Sequence, residues 1–562
     1  MQAIINLTLD EIKSHLIETG FIIQTAHVYQ NKETSTKGFH TYGPNGLILK
    51  NKVINLWRSL FVTENVHEID TPILQSKEVL TNSGHVGRFN DLIISNGTEI
   101  FRADHLVKNF ADQNKIKLIK PIDDFTKDEL LEFVKQHKAI ENHENATISP
   151  KNLMFGCGDL FLRPEIAQGM FTEFDQFYEK FYDLPFGLAQ VGKSYRNEIS
   201  CHPFTRLKEF TQAEVEYFFD PNDDTHPLFN TVTHLTVPLL VQESQLDNSE
   251  SLLYITLSEA VKTGILINEI MAYFLGKIYV FVKTLGISDS NIRFRQHLPN
   301  ELSHYARQCW DLEVLLVNGN WLECVGCAHR GDYDLTNHNI KDQNFIRKYD
   351  TKKICYDVVL NKNLEKNFTK DEIKNFYLYV KNKSFESKDE ILKDVFVKKY
   401  EESYSIIEKE KIVKSKIIPY VIEPSIGIDR IIFAIANNSL KKRENDNNRI
   451  LFNLHPEFSP YHVGLFVISN NKELLNVSTE LISMLKQNFN VYTDFSGTSI
   501  GKRYVRADAI GVPFVITIDF DTLTDEAVTI RMATDGYQQR CLISGVVKQL
   551  KHLMSFKKSQ FT

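Results

Sequence analysis

Cysteine is sparse and odd in number, seven scattered through 562 residues. That excludes the disulfide-stapled frameworks of small secreted proteins and points to a reducing compartment. Long apolar runs are missing too. The most apolar helical stretch, residues 264–287, carries Glu269, Lys277 and Lys283, so it reads as an amphipathic core helix and not as a membrane span. Basic charge is not in excess: 65 Lys and Arg stand against 72 Asp and Glu, a formal net charge of −7. This excludes a wholesale basic coat for nucleic acid but leaves room for a local patch that neutralises phosphates. The opening MQAIINLTLDEIKSH has early acids and no basic or Arg/Ser-rich leader, so a cytoplasmic location and no membrane partner are expected. No internal repeat is visible. What is there, 42% hydrophobic and 24% charged residues, is ordinary for a globular protein, long enough for three or four domains at ~150 residues each.

Residues 1–35 read as a short helical preface. After the turn residues Gly43-Pro44-Asn45-Gly46, a strong helix is predicted from Leu49, Val53, Leu56, Trp57 and Leu60, ending near Asn65. Val66–Ile69 then reads as a short strand stopped by Asp70-Thr71-Pro72. Insertions are expected near 104–150, 220–290 and 352–416. The last is rich in Lys and Glu and is predicted to be a solvated helical excursion. From about Leu454-His455-Pro456 the rhythm changes to alternating strands and helices, which predicts a separate α/β domain over 455–562 with a largely parallel sheet.

One phosphate motif is a decoy. Residues 187–194, GLAQVGKS, match G-x-x-x-x-G-K-S letter for letter, but a P-loop needs a buried strand before it and a helix after it. Here the middle is apolar and strand-like, and Pro203 limits any following helix. The stretch reads better as a strand over 186–197 with a return strand over 206–219. On the return strand Phe210, Gln212, Glu214 and Glu216 share one face, and such carboxylates imply a polar cleft.

Acids and arginines concentrate in four places: Arg163-Pro164-Glu165; Arg196-Asn197-Glu198 with Arg206-Leu207-Lys208-Glu209-Phe210; Glu323-Cys324-Val325-Gly326-Cys327-Ala328-His329-Arg330; and Glu423-Pro424-Ser425-Ile426-Gly427-Ile428-Asp429-Arg430. Charge buried beside such apolar runs is costly unless it is paired or used on a ligand. Taken together, these segments resemble the class II aminoacyl-tRNA synthetases. Arg196-Asn197-Glu198 with the Arg206–Phe210 return resembles motif 2, Gly427–Arg430 motif 3, and the helix and strand ending at Pro72 motif 1. More narrowly, Tyr42-Gly43-Pro44, Ser83-Gly84-His85, Phe101–His105, Arg163-Pro164-Glu165, Trp310–Glu313 and Glu423-Pro424-Ser425 resemble the homodimeric glycyl-tRNA synthetases of eukaryotes and archaea.

The resemblance implies an α+β fold: a catalytic domain over 36–454 built on an antiparallel sheet flanked by helices, and an anticodon-binding domain at 455–562. It also implies the partners ATP, glycine and tRNA(Gly), with a homodimer formed through motif 1. Arg196, Arg430 and Glu323 would be catalytic. ATP would meet Arg196, Asn197, Glu198, Arg206, Leu207, Phe210, Glu323, Cys324 and Arg430, with Glu323 holding Mg²⁺ on the phosphates. Glycine would meet Glu165, Glu214, Arg330, Glu423, Pro424 and Ser425. Lys502, Arg503 and Arg506 would supply charge to the anticodon domain. No zinc is expected, because Cys324 and Cys327 have no second cysteine pair at suitable spacing. Three rival readings share much of this pattern. They are a synthetase for proline, threonine or histidine, a synthetase-like binding protein without activity, and a side synthesis of dinucleoside polyphosphates. The acid-lined pocket and Glu423-Pro424-Ser425 favour glycine.

Overall fold

The structure is a computed structural model. It describes residues 4–25, 38–120, 122, 125–178, 180, 182–247, 249–303, 306–338, 346–361, 367–383, 385, 387–443 and 449–558. The polar end of the N-terminal preface, Asn31-Lys32-Glu33-Thr34, lies outside them. The chain divides into two compact units, one of residues 1–340 with 419–562 and one of residues 341–418.

Among the described residues the larger unit is organised by a nine-stranded sheet. Its strands are β1 (Val66–Glu68), β2 (Phe186–Tyr195), β3 (Glu209–Phe219), β4 (Thr236–Leu240), β5 (Leu253–Thr256), β6 (Ile292–Gln296), β7 (Gln308–Leu315), β8 (Trp321–Gly331) and β9 (Tyr420–Gly427). Their order across the sheet is β5-β4-β6-β7-β8-β9-β3-β2-β1. Pairing is antiparallel except β1 with β2 and β4 with β6. Four helices matter for the site: α1 (Pro44–Phe61), α2 (Ala167–Thr172), α3 (Glu269–Thr284) and α4 (Ile428–Ser439). Proline at its first turn starts α1, which buries Leu49, Val53, Trp57 and Phe61 along one stripe. It stops at Phe61, short of the expected Asn65. The α3 helix is apolar nearly all round, as a helix inside a core must be. The 220–290 segment is therefore woven into the core: β4 and β5 extend the sheet and α3 packs across it.

The decoy motif is strand throughout. Residues 187–194 lie within β2, paired along their whole length with β3. Gly192 is there for space, since a Cβ on it would come within 2.2 Å of the Arg163 guanidinium beneath.

Residues around 90–150 fold as a small layer of their own. Three strands (Asn90–Ser95, Ile100–Arg102 and Thr147–Asn152) carry two helices over a core that includes Ile94, Val107, Leu130 and Val134. The C-terminal sheet comprises β10 (Val463–Val467), β11 (Val491–Thr493), β12 (Phe514–Ile518), β13 (Ala527–Met532) and β14 (Gln538–Leu542), in the order β11-β10-β12-β13-β14. Only β10, β11 and β12 run parallel; β13 and β14 return antiparallel, so the sheet is mixed and not largely parallel. Helices α5 (Lys472–Lys486), α6 (Ile500–Ala509) and α7 (Val546–Lys558) accompany it.

The smaller unit departs from the helical excursion expected there. Two long antiparallel strands, Ile346–Leu360 and Tyr404–Lys416, flank three helices, and Val358, Phe376, Phe385, Ile391 and Val397 give the unit its own apolar centre.

Candidate active site

Strands β3, β8 and β9 lie side by side at the middle of the sheet, and their register builds the site. Glu214 on β3 pairs with Ser425 on β9, and Ser425 with Gly326 on β8. Side chains on one face of this row look into a cleft of about 380 Å³. Arg196, Glu198, Arg206, Leu207, Phe210, Glu323, Cys324 and Arg430 all line it, joined by Gln212, Gly326 and Ser425. Eight of the nine residues expected around ATP thus converge. The exception is Asn197, whose backbone N–H donates to the Leu153 carbonyl and which does not line the cleft.

Arginines dominate the cleft. Arg196 donates from Nε to the Pro164 carbonyl at 3.1 Å, with its guanidinium 5.3 Å from the centre of each of the Phe89 and Phe210 rings. Arg430 donates to the Thr205 carbonyl at 3.0 Å and from Nη1 to the Glu323 carboxylate at 3.1 Å. Arg206 lies 3.2 Å from the His105 ring nitrogens and 3.9 Å from Glu198. Phe89, Asp91 and Arg102 also face the cleft, from the small layer around residues 90–150. Phe89 and Asp91 were not singled out in the sequence, where their segment carries no pattern separating a site wall from a surface loop.

A buried network fixes Arg430 from behind. Its neighbour Asp429 accepts from the Tyr42 hydroxyl at 2.5 Å and the Thr211 N–H at 2.7 Å, and lies 3.6 Å from His40. Lys50 of α1 donates to the Thr211 hydroxyl at 2.6 Å. Burial alone would raise the Asp429 carboxyl, but the bonds from His40 and Tyr42 and the charges of Lys50 and His40 hold it down at about 2.

Next to the cleft the sign of charge reverses. Arg330, 2% exposed, donates to Asp334 at 2.7 and 2.9 Å and to Glu423 at 2.7 Å, and lies 3.9 Å from Glu165. Glu165 also meets Gln168 at 2.8 Å and His85 at 3.5 Å. Glu214 accepts from Ser425 at 2.5 Å and Gln212 at 2.7 Å through one oxygen, while its other oxygen has no partner among the described residues. Glu216 is buried as well. Burial, reinforced by Glu423 and Glu165, pushes the Glu214 carboxyl up to about 8. Burial and Glu423 push Glu216 well above the carboxylate range. Five of the six residues expected around glycine are therefore gathered in one place. Pro424 is the sixth; between Glu423 and Ser425 on a strand, its ring faces the other side of the sheet. Glu216, read from the sequence onto the same face as Glu214, is not among the residues expected around glycine, although the two-residue spacing puts it beside them.

Cys324 and Cys327 on β8 are both buried in the apolar core, Cys324 at the bulge where β8 slips against β7. A separate group, His297, Cys309 and Asp311, brings its ligand atoms within 4.8 Å of one another, but Arg295 already sets a fixed cation 3.5 Å from Asp311. In the C-terminal domain Arg503 points inward and donates to the Val467 carbonyl at 2.8 Å, so it is framework. Lys502 and Arg506 are exposed. Among the described residues no helix is long and apolar enough to cross a membrane.

Comparison with known proteins follows the same division. Residues 157–254 match the family model "tRNA synthetase class II core domain (G, H, P, S and T)", and residues 462–553 match "Anticodon binding domain". The glycine–tRNA ligase of Methanocaldococcus jannaschii is 36% identical over 550 residues, covering 92% of this chain and 94% of that one. Glycine–tRNA ligase 1, mitochondrial, of Saccharomyces cerevisiae is 35% identical over 600 residues, covering 92% and 87%. Among solved structures, prolyl-tRNA synthetase of Cryptosporidium parvum complexed with L-proline and AMP aligns with a TM-score of 0.54 at 11% identity, covering 99% of this chain and 77% of that one, a likeness of fold alone.

Proposed function

The chain belongs to the glycine–tRNA ligases, class II aminoacyl-tRNA synthetases of the archaeal and eukaryotic type that use ATP to attach glycine to tRNA, and from that premise we propose how its residues divide the work. The observation that carries the reading is the change of charge along one sheet face: an arginine-lined cleft opens beside a pocket where acids outnumber cations. The first suits a triphosphate, the second an ammonium group.

Activation is attack of a glycine carboxylate oxygen on the α-phosphorus of ATP, forming that P–O bond and breaking the bond to pyrophosphate. Arg196, in the cleft between its two phenyl rings, holds the α-phosphate and the glycine carboxylate together. A guanidinium fork suits two anions at once. Phe210 stacks on adenine and Glu198 accepts from its amino group. Arg430 covers the opposite face and reaches the γ-phosphate, and Arg206 steadies the bent triphosphate. The Glu323 carboxylate, whose Oε1 accepts from Arg430 at 3.1 Å, would hold Mg²⁺ through its other oxygen, a hard ligand for a hard cation that would neutralise phosphate charge. Glu165, Glu214 and Glu423 receive the ammonium, while Arg330 and Ser425 fix two of these acids in place. Close walls reject a larger amino acid, since forcing one extra methyl group into a packed site costs ~1–3 kcal/mol. In the second step the tRNA terminal hydroxyl attacks the adenylate carbonyl and AMP leaves.

A homodimer through α1 and β1 is supported by the position of β1 as the terminal strand of the sheet. Lys502 and Arg506, exposed on α6, are the charges offered to tRNA. A cytoplasmic location is supported by the sparse, odd-numbered cysteines of the sequence, which suit a reducing compartment. The decisive test is pyrophosphate–ATP exchange with each amino acid in turn and Mg²⁺ present. Exchange with glycine alone is expected; exchange with another amino acid would overturn the pocket assignment, and none from folded protein would overturn the catalytic one.

A further inference from the structure

The register that pairs Glu214 with Ser425 and Tyr217 with Ile422 sets Glu216 of β3 across from Glu423 of β9, on the same face. Like charges directly opposite each other destabilise a sheet, so this pair has a cost that the fold alone does not explain. Glu216 is 0% exposed, and neither of its carboxyl oxygens has a hydrogen-bond partner among the described residues. Ligand oxygens of Glu214, Glu216 and Glu423 lie within 4.8 Å of one another.

The charged groups felt most strongly at Glu216 are mostly acids. Glu214 faces Glu216 from its own strand, Glu423 from β9 and Asp334 from the helix after β8; Arg330 of β8 is the cation felt most strongly there, and it already grips Asp334 and Glu423, while Arg163 is felt by Glu214. Beyond Glu214 stands another acid, Glu165. A buried carboxylate without a donor needs either a proton or a cation beside it.

We propose that Glu216 is a specificity-determining member of the amino-acid pocket: Glu214, Glu216 and Glu423 hold a proton in common while the pocket is empty, and the glycine ammonium displaces it to solvent. This rests on the reading of Glu214 and Glu423 as ammonium ligands. Charge is conserved, one cation replacing another. Glycine binding then releases a proton and ATP binding does not. Glycine affinity rises with pH by up to ~tenfold per unit, the linkage slope for one proton, until the cage is ionised. For Glu214 that point is about 8.

The test is calorimetry of glycine binding to the full chain in buffers of different ionisation enthalpy. It is run on wild type and Glu216→Gln, with KM for glycine and for ATP followed against pH in the exchange assay. Wild type is expected to release close to one proton per glycine near neutral pH. Glu216→Gln, the same shape without the ionisable group, is expected to release less than half as much and to flatten the pH dependence of the glycine KM, while the ATP KM keeps its wild-type profile. Melting curves confirm that the variant is folded; if it is not, the wild-type proton count decides by itself. Glycine binding without proton release in wild type, or the same release and slope in Glu216→Gln, would overturn the proposal. Failure of the underlying reading looks different: Glu214→Gln and Glu423→Gln would both leave the glycine KM unmoved.

Discussion

Asp508 in the C-terminal domain and Arg330 in the catalytic core are both buried charges ringed by the opposite sign, and the rings are completed differently. Asp508, 0% exposed on α6, is gripped by Arg531 at 2.8 and 3.0 Å and by Arg449 at 2.8 Å, with Arg443 at 3.5 Å. Both of its oxygens are answered, and Arg443 and Arg449 belong to strands outside the C-terminal sheet, so the cluster fastens one domain to the other. Around Arg330 the acids exceed the cations, and oxygens of Glu214 and Glu216 are left without donors. A closed cluster holds the fold. An open one leaves carboxylate oxygens without donors, unfavourable charge that a ligand can relieve, which is why burial by itself does not separate scaffold from site, whereas the partners of each buried carboxylate oxygen do.

The sharpest way to break this contrast is to empty the closed cluster. Asp508→Ala leaves buried arginines unanswered and is expected to cost about 3–5 kcal/mol of stability in a denaturant melt. The glycine KM of the folded fraction should stay at the wild-type value; a loss below ~1 kcal/mol would place Asp508 with ordinary surface pairs. Arg196→Ala acts on the cleft instead. Exchange should fall by ~10²–10³-fold, the usual effect of removing one charge-stabilising donor, with the melting temperature preserved. Glu423→Gln probes the open cluster. It should raise the glycine KM by about tenfold, roughly 1.4 kcal/mol, and leave the ATP KM nearly alone; equal losses for both substrates would mark Glu423 as structural. The smallest effect separates the two clusters by pH. Glu214, raised from 4.5 to about 8, binds more protons in the folded than in the unfolded chain between those values, so its contribution to stability falls as pH rises through that window. Glu214→Gln should therefore gain stability over wild type progressively up to about pH 8 and no further, measured as melting temperature without glycine. A constant difference across pH would show that the carboxyl does not titrate there.

How much of this was legible in the sequence depended on whether one segment carried its own signal. Arg196, Glu198 and Phe210 stand on a hairpin whose alternation is written in the chain, and the register then brought Glu214 to Ser425 as a strand pattern requires. Glu216 shows where that reading stopped. Its face was readable, but its opposition to Glu423 exists only once β3 and β9 pair. Phe89 and Asp91 reach the cleft through the tertiary packing of a separate layer, which no local periodicity encodes. In the smaller unit, strand residues such as Lys409 and Glu408 alternate charge with charge, so a two-residue period in hydrophobicity never appeared and the strands passed for helix. Arg503 misled for the opposite reason: a basic residue on a polar helix reads as surface, and only the Val467 carbonyl beneath it turns it inward.

The Asp429 network has a mechanical meaning. Helix α1 touches Thr211 through Lys50, and Tyr42, just before the helix, touches Asp429. Thr211 is next in the chain to Phe210, and Asp429 is next to Arg430, the two side chains assigned to opposite faces of adenine. One rigid rod thus serves as the reference edge for both jaws of a clamp. Sliding or tilting it would change their spacing together, so on the proposed assignment the grip on the nucleotide depends on a helix whose own residues do not line the cleft.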